Sequence, residues 1–144
     1  MRGGRLVKLD AQPPGIPLPQ PWSLTEPHWE GCKRGELLVQ RCVDCGRHVF
    51  IPQHACTSCL SERLEWVASS GQGIVYSYTT VHRPQQPAFE TPYVCAIVEL
   101  DEGWHMLTNL VGLEPEDVRI GMRVEVAFHA VSDEVTLPYF RPAE

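Results

Sequence analysis

The sequence predicts a mostly β protein with a short N-terminal helical segment, a cysteine-rich ribbon and a C-terminal five-stranded barrel. Three observations support this fold class. The 144 residues include 13 prolines and 11 glycines, which favour turns over long helices. Two Cys-x-x-Cys pairs lie within residues 41–59. From residue 73 onward, segments rich in β-branched and aromatic residues alternate with turn signals, as in a small barrel.

Residues 1–21 are predicted to form a proline-rich N-terminal arm. The segment AQPPGIPLPQP, at 11–21, holds too many prolines for a helix or a central strand, because proline lacks the backbone N–H that both require. The arm should therefore run extended, and two arrangements remain open. Either it is disordered or it lies along a surface of the protein.

Residues 22–36 are predicted to form a short helical segment, with the helix itself at about 25–34. Ser23 and Glu26 have the spacing of a capping box, in which the two side chains bond to backbone N–H groups of the first turn. Gly35 is the expected C-terminal stop, because glycine readily adopts the positive φ that ends many helices.

Residues 37–66 are predicted to form a ribbon around the cysteine pairs. The segments LLVQRC and LEWVAS have the composition of short strands, and they flank two tight turns. The pairs are ten residues apart, so each turn can direct two thiolates at one ion, and Gly46 permits the positive φ that such a turn often needs. The predicted metal ligands are Cys42, Cys45, Cys56 and Cys59.

Four thiolates predict a tetrahedral zinc site with a structural role. Because protein ligands fill all four positions, the ion cannot activate water; it holds together a segment too small for a core of its own. Iron is the alternative, since four cysteines at similar spacing hold a single iron in rubredoxin-like proteins. His48 and His54 lie near enough in sequence to replace a thiolate, although two complete pairs make this unnecessary.

Residues 67–144 are predicted to form the barrel domain. DEG at 101–103 is a hairpin signal between the second and third strands, and LEPEDVRIG indicates one helical turn before the fourth. Three strands, a short helix and two strands follow one another in the oligonucleotide/oligosaccharide-binding (OB) fold. The predicted strands are 73–81, 93–100, 104–111, 122–131 and 134–140.

Charge is distributed unevenly along the chain. The net charge is −6, and residues 67–144 hold four Lys/Arg against eleven Asp/Glu. An OB-fold protein that binds single-stranded nucleic acid is the alternative function, with Tyr76, Tyr78 and Trp104 as stacking residues. The acidic half argues against it, because such binding depends on cations that displace counterions from phosphates. No nucleic-acid partner is expected.

Nothing in the sequence resembles a membrane span or a secretory signal. No stretch approaches the roughly 18 consecutive apolar residues of a span, and MRGGRLVKLDAQPPG lacks the apolar core of a signal peptide. We therefore expect a cytoplasmic protein without a membrane partner. In that reducing compartment paired cysteines more often bind metal or do redox work than form structural disulfides.

No catalytic residue is predicted. The sequence lacks the Gly-x-Ser-x-Gly, His-Glu-x-x-His and glycine-rich phosphate-binding motifs. Cys95 is the candidate nucleophile outside the ribbon, but in YVCAIVEL it should be buried in the core, where the pKa of a thiol rises. Cys32 is likewise expected to act as a small buried hydrophobe. The remaining histidines of the barrel half have no acid or nucleophile at a matching spacing: His82, His105 and His129.

Several segments together resemble a known family: HWEGCKRGELLVQRCVDCG, CTSC, LEW before GQGIVYSYTTVHRP, PYVCAIVELDEG, MLTNLVG, VRIGMRVEVAF and TLPYFRP. This is the zinc-ribbon OB-fold family associated with acyl-CoA metabolism, and the resemblance covers about residues 22–142. It implies a helical N-terminal hairpin, a rubredoxin-like zinc ribbon and an OB barrel. Members of the family resemble partner subunits of thiolase-fold enzymes, including thiolase-like aldolases of steroid side-chain degradation.

The resemblance implies a non-catalytic accessory or scaffold subunit in a hetero-oligomer with a thiolase-fold acyl-CoA enzyme. The partner would carry the reactive cysteine. This chain would help to shape the substrate site of an aldolase or a thiolase/synthase, in lipid or steroid side-chain metabolism. The acyl group stays open, as does the question whether acyl-CoA is shared between the two chains.

The loop HRPQQPAFETPY, at 82–93, is the predicted contact with the partner or with its substrate channel. Its three prolines lower the entropy lost on docking, and it is longer than a hairpin usually needs. Phe89 and Tyr93 offer contact area, whereas His82 and Arg83 can meet a carboxylate or a phosphate.

Overall fold

The computed structural model describes residues 8–144, and the first seven residues of the predicted arm lie outside this part. The described chain is mostly β with one α-helix, which confirms the predicted fold class. No helix in it is long and apolar enough to cross a bilayer. In chain order the elements are α1 (Glu26–Lys33), β1 (Leu38–Cys42), β2 (His48–Val49), β3 (Leu64–Ala68), β4 (Gln72–Val81), β5 (Tyr93–Leu100), β6 (His105–Leu110), a 3-10 turn (Pro115–Asp117), β7 (Arg123–Ala130) and β8 (Thr136–Pro142).

The helix α1 begins and ends within one residue of the predicted range. Gly35, at φ 77°, ends it as expected, and the N–H groups of Gly35 and Glu36 bond to carbonyls of the last turn. The predicted capping box is wrong. Thr25 is the N-cap residue, and no side chain caps the helix, because the Thr25 hydroxyl bonds instead to the backbone of Trp22.

The ribbon is a three-stranded antiparallel sheet with β1 between β2 and β3. The pairing of β1 with β3 runs from Leu38↔Ala68 to Cys42↔Leu64. The strand β2 was not predicted, because two residues are too few to show a periodic pattern. Cys42 is the last residue of the central strand β1 and the first residue of the first cysteine turn. The sheet therefore fixes the start of this turn.

The C-terminal strands close into a five-stranded barrel in the order β4-β5-β6-β8-β7, with β7 pairing back to β4. Every pair is antiparallel except β6 with β8, which meet at Leu110↔Phe140. The five predicted strands are all present, with ends that differ by one or two residues at most. The 3-10 turn stands between β6 and β7, where the sequence indicates a helical turn, so the OB topology is confirmed.

The N-terminal arm lies along the barrel in the described residues. Leu9 is 4% exposed and belongs to the barrel core, and its backbone exchanges hydrogen bonds with Leu113 O (2.7 Å) and Gly112 N (2.9 Å). Farther along, the Gln12 side chain exchanges two hydrogen bonds, of 3.0 and 2.8 Å, with the backbone of Glu90. Of the two arrangements that the sequence left open, disordered or laid along a surface, the described part of the arm therefore has the second.

Two kinds of contact fix the ribbon to the connection between β5 and β6. The Glu102 carboxylate accepts hydrogen bonds from Ser69 and Ser70 after β3. The ring of Phe50, from the ribbon, packs 5.1 Å from the ring of Trp104, which is buried in the barrel core. These contacts place residues 50–52 of the ribbon beside β6.

Replacement of Leu9 by alanine tests whether the arm is part of the barrel core. Leu9→Ala should lower the free energy of unfolding by about 2–4 kcal/mol, because it removes buried methyl groups and leaves a cavity. Leu18→Ala, at an exposed position of the same arm, should change it by less than about 0.5 kcal/mol. Urea denaturation followed by tryptophan fluorescence measures both, and equal effects would contradict the packed arm.

Candidate metal centre and adjoining cavity

The two cysteine turns of the ribbon share one pattern of backbone hydrogen bonds. In the first turn, Cys42 N–H donates to Arg47 O (2.8 Å) and Gly46 N–H donates to Cys42 O (2.9 Å). The equivalent bonds made by the N–H groups of Cys56 and Leu60 measure 2.8 and 3.0 Å. Because the turns are alike, each presents two sulfur atoms in the same way, and the four sulfurs meet between them.

The sulfur positions fit a tetrahedral metal ion. All four Sγ atoms lie within 4.8 Å of one another. The Sγ atoms of Cys42 and Cys59 are 3.6 Å apart, as are those of Cys45 and Cys56. An ion with metal–sulfur bonds of about 2.3 Å would hold its sulfur ligands about 3.8 Å apart. Four protein ligands complete such a shell, so this geometry suits a structural ion rather than one that binds substrate.

The backbone prepares Cys56 to be a thiolate. The N–H of Cys59, followed by that of Ser58 at 3.4 Å from Sγ, lowers the pKa of Cys56 to about 6. At Cys59 the N–H of Ser61 lowers the pKa, but the sulfurs of Cys42, Cys45 and Cys56, together with partial loss of hydration, outweigh it and raise the pKa to about 12. Four sulfurs this close cannot all be negative unless a cation compensates them. The donor set therefore fits a metal ion chemically as well as geometrically.

The residue after each cysteine pair has a left-handed backbone. Its φ is 76° at Gly46 and 65° at Leu60. The positive φ at Gly46 was predicted from the sequence. The positive φ at Leu60 was not, although Leu60 follows Cys59 as Gly46 follows Cys45. A left-handed conformation costs an L-residue roughly 1–2 kcal/mol. Since the Leu60 side chain is 78% exposed, packing within this chain offsets little of that cost.

A salt bridge and a hydroxyl join the two turns outside the sulfur cluster. Asp44, in the first turn, accepts a hydrogen bond from Ser61 Oγ of the second and one from Arg63 Nη1 at 2.9 Å. Val43 N–H donates to Arg63 O at 2.9 Å. These bonds hold the turns in register on the exposed side of the ribbon.

A cavity of about 330 Å³ opens where the helix, the ribbon and the barrel meet. Among residues 8–144, no Asp, Glu, Lys or Arg side chain lines it, although charged residues make up 21% of the chain. Ile51, from the ribbon, is 65% exposed and Leu107, from β6, is 66% exposed, which places both at the mouth. The wall behind them includes Ile16, Trp29, Phe50, Phe89, Met106 and Leu137.

Most polar side chains in the cavity wall bond to the protein itself, whereas the carboxamide of Asn109, on β6, makes no hydrogen bond with the described residues. The His28 ring has Nδ1 3.2 Å from Leu38 O and Nε2 3.9 Å from Cys32 Sγ. A carbonyl only accepts, so Nδ1 donates and the lone pair of Nε2 faces the thiol. The Thr108 hydroxyl donates to Pro138 O at 2.8 Å. The wall therefore presents mainly hydrocarbon to the cavity.

Burial keeps both groups of the His28–Cys32 contact neutral. It lowers the pKa of His28 below its ordinary value of 6.5, although the bond to Leu38 offsets part of this shift. Burial also raises the pKa of Cys32 to about 12, and the residue is almost completely inaccessible. The expectation that Cys32 is a small buried hydrophobe fits this environment.

The predicted contact loop places its four residues in different environments. His82 and Arg83 are exposed. Phe89 is half-buried and packs against the arm and the β7–β8 hairpin, with its ring 6.1 Å from that of Tyr93. Phe89 therefore supports the loop from inside and forms part of the cavity wall. A role of the four residues at an interface stays a prediction.

Two expectations about single residues are corrected. Cys95 was expected in the core, but it is half-buried on the outer face of β5, while its neighbours Val94 and Ala96 face the barrel interior. Burial still raises its pKa. Trp104 is 4% exposed and cannot stack on a base, although Tyr76, at a β-bulge, is exposed.

Two family models match consecutive parts of the chain. The model described as "ChsH2, rubredoxin-like zinc ribbon domain" matches residues 29–65. The model described as "ChsH2, C-terminal OB-fold domain" matches residues 66–129. The chain belongs to the ChsH2 family. This confirms the resemblance to zinc-ribbon OB-fold proteins, and it agrees with the sulfur cluster and the closed barrel.

A solved structure supports the same fold over most of this chain. A chain of the "Ltp2-ChsH2(DUF35) aldolase" is similar to this ChsH2-family protein, with 41% identity and a TM-score of 0.81. The match covers 88% of this chain and 100% of that chain. The name of that structure describes an aldolase of Ltp2 and ChsH2(DUF35).

Two relatives are named as enzyme subunits. A probable enoyl-CoA hydratase alpha subunit of Thermomonospora curvata is 44% identical over 115 residues, which are 80% of this chain. The ChsH2-family chain spans only 36% of the length of that relative. The benzoylsuccinyl-CoA thiolase subunit BbsA of Geobacter metallireducens is 37% identical over 86 residues, covering 60% of this chain and 57% of that protein. Both names refer to acyl-CoA enzymes.

Exchange of the residues that follow the cysteine pairs should change stability in opposite directions. Gly46→Ala should lower the free energy of unfolding by about 1 kcal/mol, because alanine is strained at φ 76°. Leu60→Gly should raise it by about 0.5 kcal/mol, since relief of strain exceeds the entropy cost of glycine. Urea denaturation of the metal-loaded proteins measures both changes. A loss of stability in Leu60→Gly would show that Leu60 is not strained.

Acidification should destabilise the protein through His28. The pKa of His28 in the folded state lies below 6.5. At pH values between this folded pKa and 6.5, the unfolded state binds the proton and the folded state does not. This contribution is fully present above about pH 6.5 and is lost as the pH falls toward the folded pKa. His28→Gln keeps an N–H donor for Leu38 O but cannot titrate. Denaturation at several pH values, in excess metal, should show a shallower decline in the variant; parallel declines would contradict this account.

Proposed function

We propose that this ChsH2-family chain is a non-catalytic accessory subunit that binds a thiolase-fold acyl-CoA enzyme and helps to shape its substrate site. The observation that carries the proposal is the match over the full length of the ChsH2(DUF35) chain of a two-component aldolase. The name of the thiolase subunit BbsA supports the same class of partner. The partner would be an aldolase or a thiolase/synthase in lipid or steroid side-chain metabolism, and the assembly a hetero-oligomer.

The chemistry of the thiols supports an accessory role. A thiol reacts as its thiolate, and burial raises the pKa of both Cys32 and Cys95. The other four cysteines of the chain would be consumed as metal ligands. Reactive groups for acyl transfer or carbon–carbon cleavage would then come from the partner.

Zinc is the proposed ion, held by Cys42, Cys45, Cys56 and Cys59. The match to a zinc ribbon model and the spacing of the sulfurs support it over iron. When bound, the ion supplies structural cross-linking of the two turns and no open coordination position. Metal analysis of the purified protein should find about one equivalent of zinc, and iron in its place would refute this part of the proposal.

The decisive experiment is co-expression with a thiolase-fold acyl-CoA enzyme from the same organism. The two should co-purify, and the partner should cleave or condense its acyl-CoA substrate faster with this chain than without it. This chain alone should turn over no acyl thioester. Independent turnover, or an unchanged rate and no stable complex with a thiolase-type enzyme, would refute the proposal.

The exposed start of the contact loop allows a narrower test. The double variant His82→Ala, Arg83→Ala should raise the Kd of the complex about tenfold, because an acidic or phosphate group on the partner side would lose its charged hydrogen bonds. Arg34→Ala, at an exposed arginine beside the C-terminus of α1, is the matched control and should leave the Kd unchanged. Calorimetric titration of the partner measures both. Equal Kd values for the double variant and the control would remove His82 and Arg83 from the interface.

A further inference from the structure

We propose that the cavity between α1, the ribbon and the barrel binds the hydrocarbon part of an acyl thioester. The inference rests on the proposed function and deepens it. It assigns recognition of the apolar end of the substrate to this chain, while the partner acts on the thioester end.

The size and the charge of the cavity agree with this occupant. Ligand sites generally have volumes of about 300–1,000 Å³, and this one, at about 330 Å³, suits a compact group rather than a whole coenzyme A ester. Within the part of the chain that the structure describes, the lining holds no Lys or Arg to meet the phosphates of coenzyme A, and no Asp or Glu to meet a cation. An uncharged group can therefore enter the cavity without burying a charge that has no partner in the wall.

The hydrogen bonds in the wall favour an occupant that is mainly hydrocarbon. The side chain of Gln12 bonds to the backbone of Glu90, that of His28 to Leu38 and Cys32, and that of Thr108 to Pro138. Among the described residues Asn109 alone offers the cavity a carboxamide without a hydrogen bond, enough for a single polar contact. Groups already paired offer little to a polar ligand, whereas the aromatic and aliphatic walls gain from excluding water. An acyl chain or a ring system meets this condition.

The mouth of the cavity indicates how such a group would enter. Ile51 and Leu107 are both large, apolar and about two-thirds exposed at 65% and 66%, and they meet at one opening. Grouped exposure of this kind marks an interaction site more often than scattered apolar residues do. Phe89 belongs both to the wall and to the predicted contact loop, so the cavity would continue into the channel of the partner enzyme.

Binding of a series of acyl-CoA esters to the zinc-loaded chain tests the proposal. The probes are free CoA and acetyl-, butyryl-, hexanoyl- and octanoyl-CoA, and calorimetry or fluorescence gives their affinities. Each methylene that becomes buried should raise the affinity about fourfold until the cavity is filled. Affinity that is independent of chain length would overturn the proposal.

Matched substitutions locate the site. Leu107→Trp, which fills the mouth, should lower the affinity for octanoyl-CoA at least tenfold. Ile120→Trp changes an apolar residue that is 64% exposed and does not line the cavity, so the affinity should be unchanged. Should Leu107→Trp lower the Tm, Ile51→Trp applies the same test from the ribbon side. Equal effects at Leu107 or Ile51 and at Ile120 would overturn the proposal.

The complex with the partner separates this proposal from the proposed function. If the partner displaces octanoyl-CoA from the cavity, the cavity receives a side chain of the partner, and the acyl-binding proposal is wrong. If complex formation and activation persist while the acyl series is flat, the accessory function stands and this inference alone fails. If the assembled complex retains octanoyl-CoA and the Leu107→Trp variant of the complex does not, the result supports both the accessory function and the acyl-binding proposal.

Discussion

Attraction between four thiolates and one cation is the interaction on which the ribbon depends. The apolar cluster inside the ribbon consists of Cys42, Val49 and Cys56, with Leu64 packed against it, so half of its members are themselves sulfur ligands. A segment with so small a core cannot offset its conformational entropy by burial alone. A structural ion held by the four sulfurs would supply the missing free energy, and its binding would be coupled to folding.

The cavity depends on the same centre, although no cysteine of the described residues lines it. Its walls come from the arm, the helix, the ribbon, the 82–93 loop and two barrel strands, and none of these elements encloses a space alone. The ribbon contributes residues 50–52, whose position follows from the packing of Phe50 on Trp104 and from the bonds of Glu102 to the end of β3. Loss of the metal would release these residues, and the cavity would open on that side.

The sequence predicts the elements whose signals are local. Cysteine spacing, the glycine after the helix and the period of the barrel strands each lie within a few residues, and the structure confirms the strands and the stop at Gly35. The direction in which a strand side chain points was harder to predict from the sequence. In YVCAIVEL both faces are apolar, so alternation alone could not tell that Cys95 faces outward. The cavity was not predicted, because its wall joins residues from 12 to 139 that meet only in the folded chain.

The polarity of the cavity supports the proposed division of labour between two chains. A charged nucleophile or acid placed in this wall would lose its hydration with little compensation, since most polar groups there are already bonded. A reactive centre in the wall would also interrupt the apolar surface that the proposed hydrocarbon ligand needs. With the reactive groups on a partner, as proposed, each surface would keep the environment that its role requires. The metal would affect the cavity indirectly, because it would fix the position of the ribbon that completes the apolar wall.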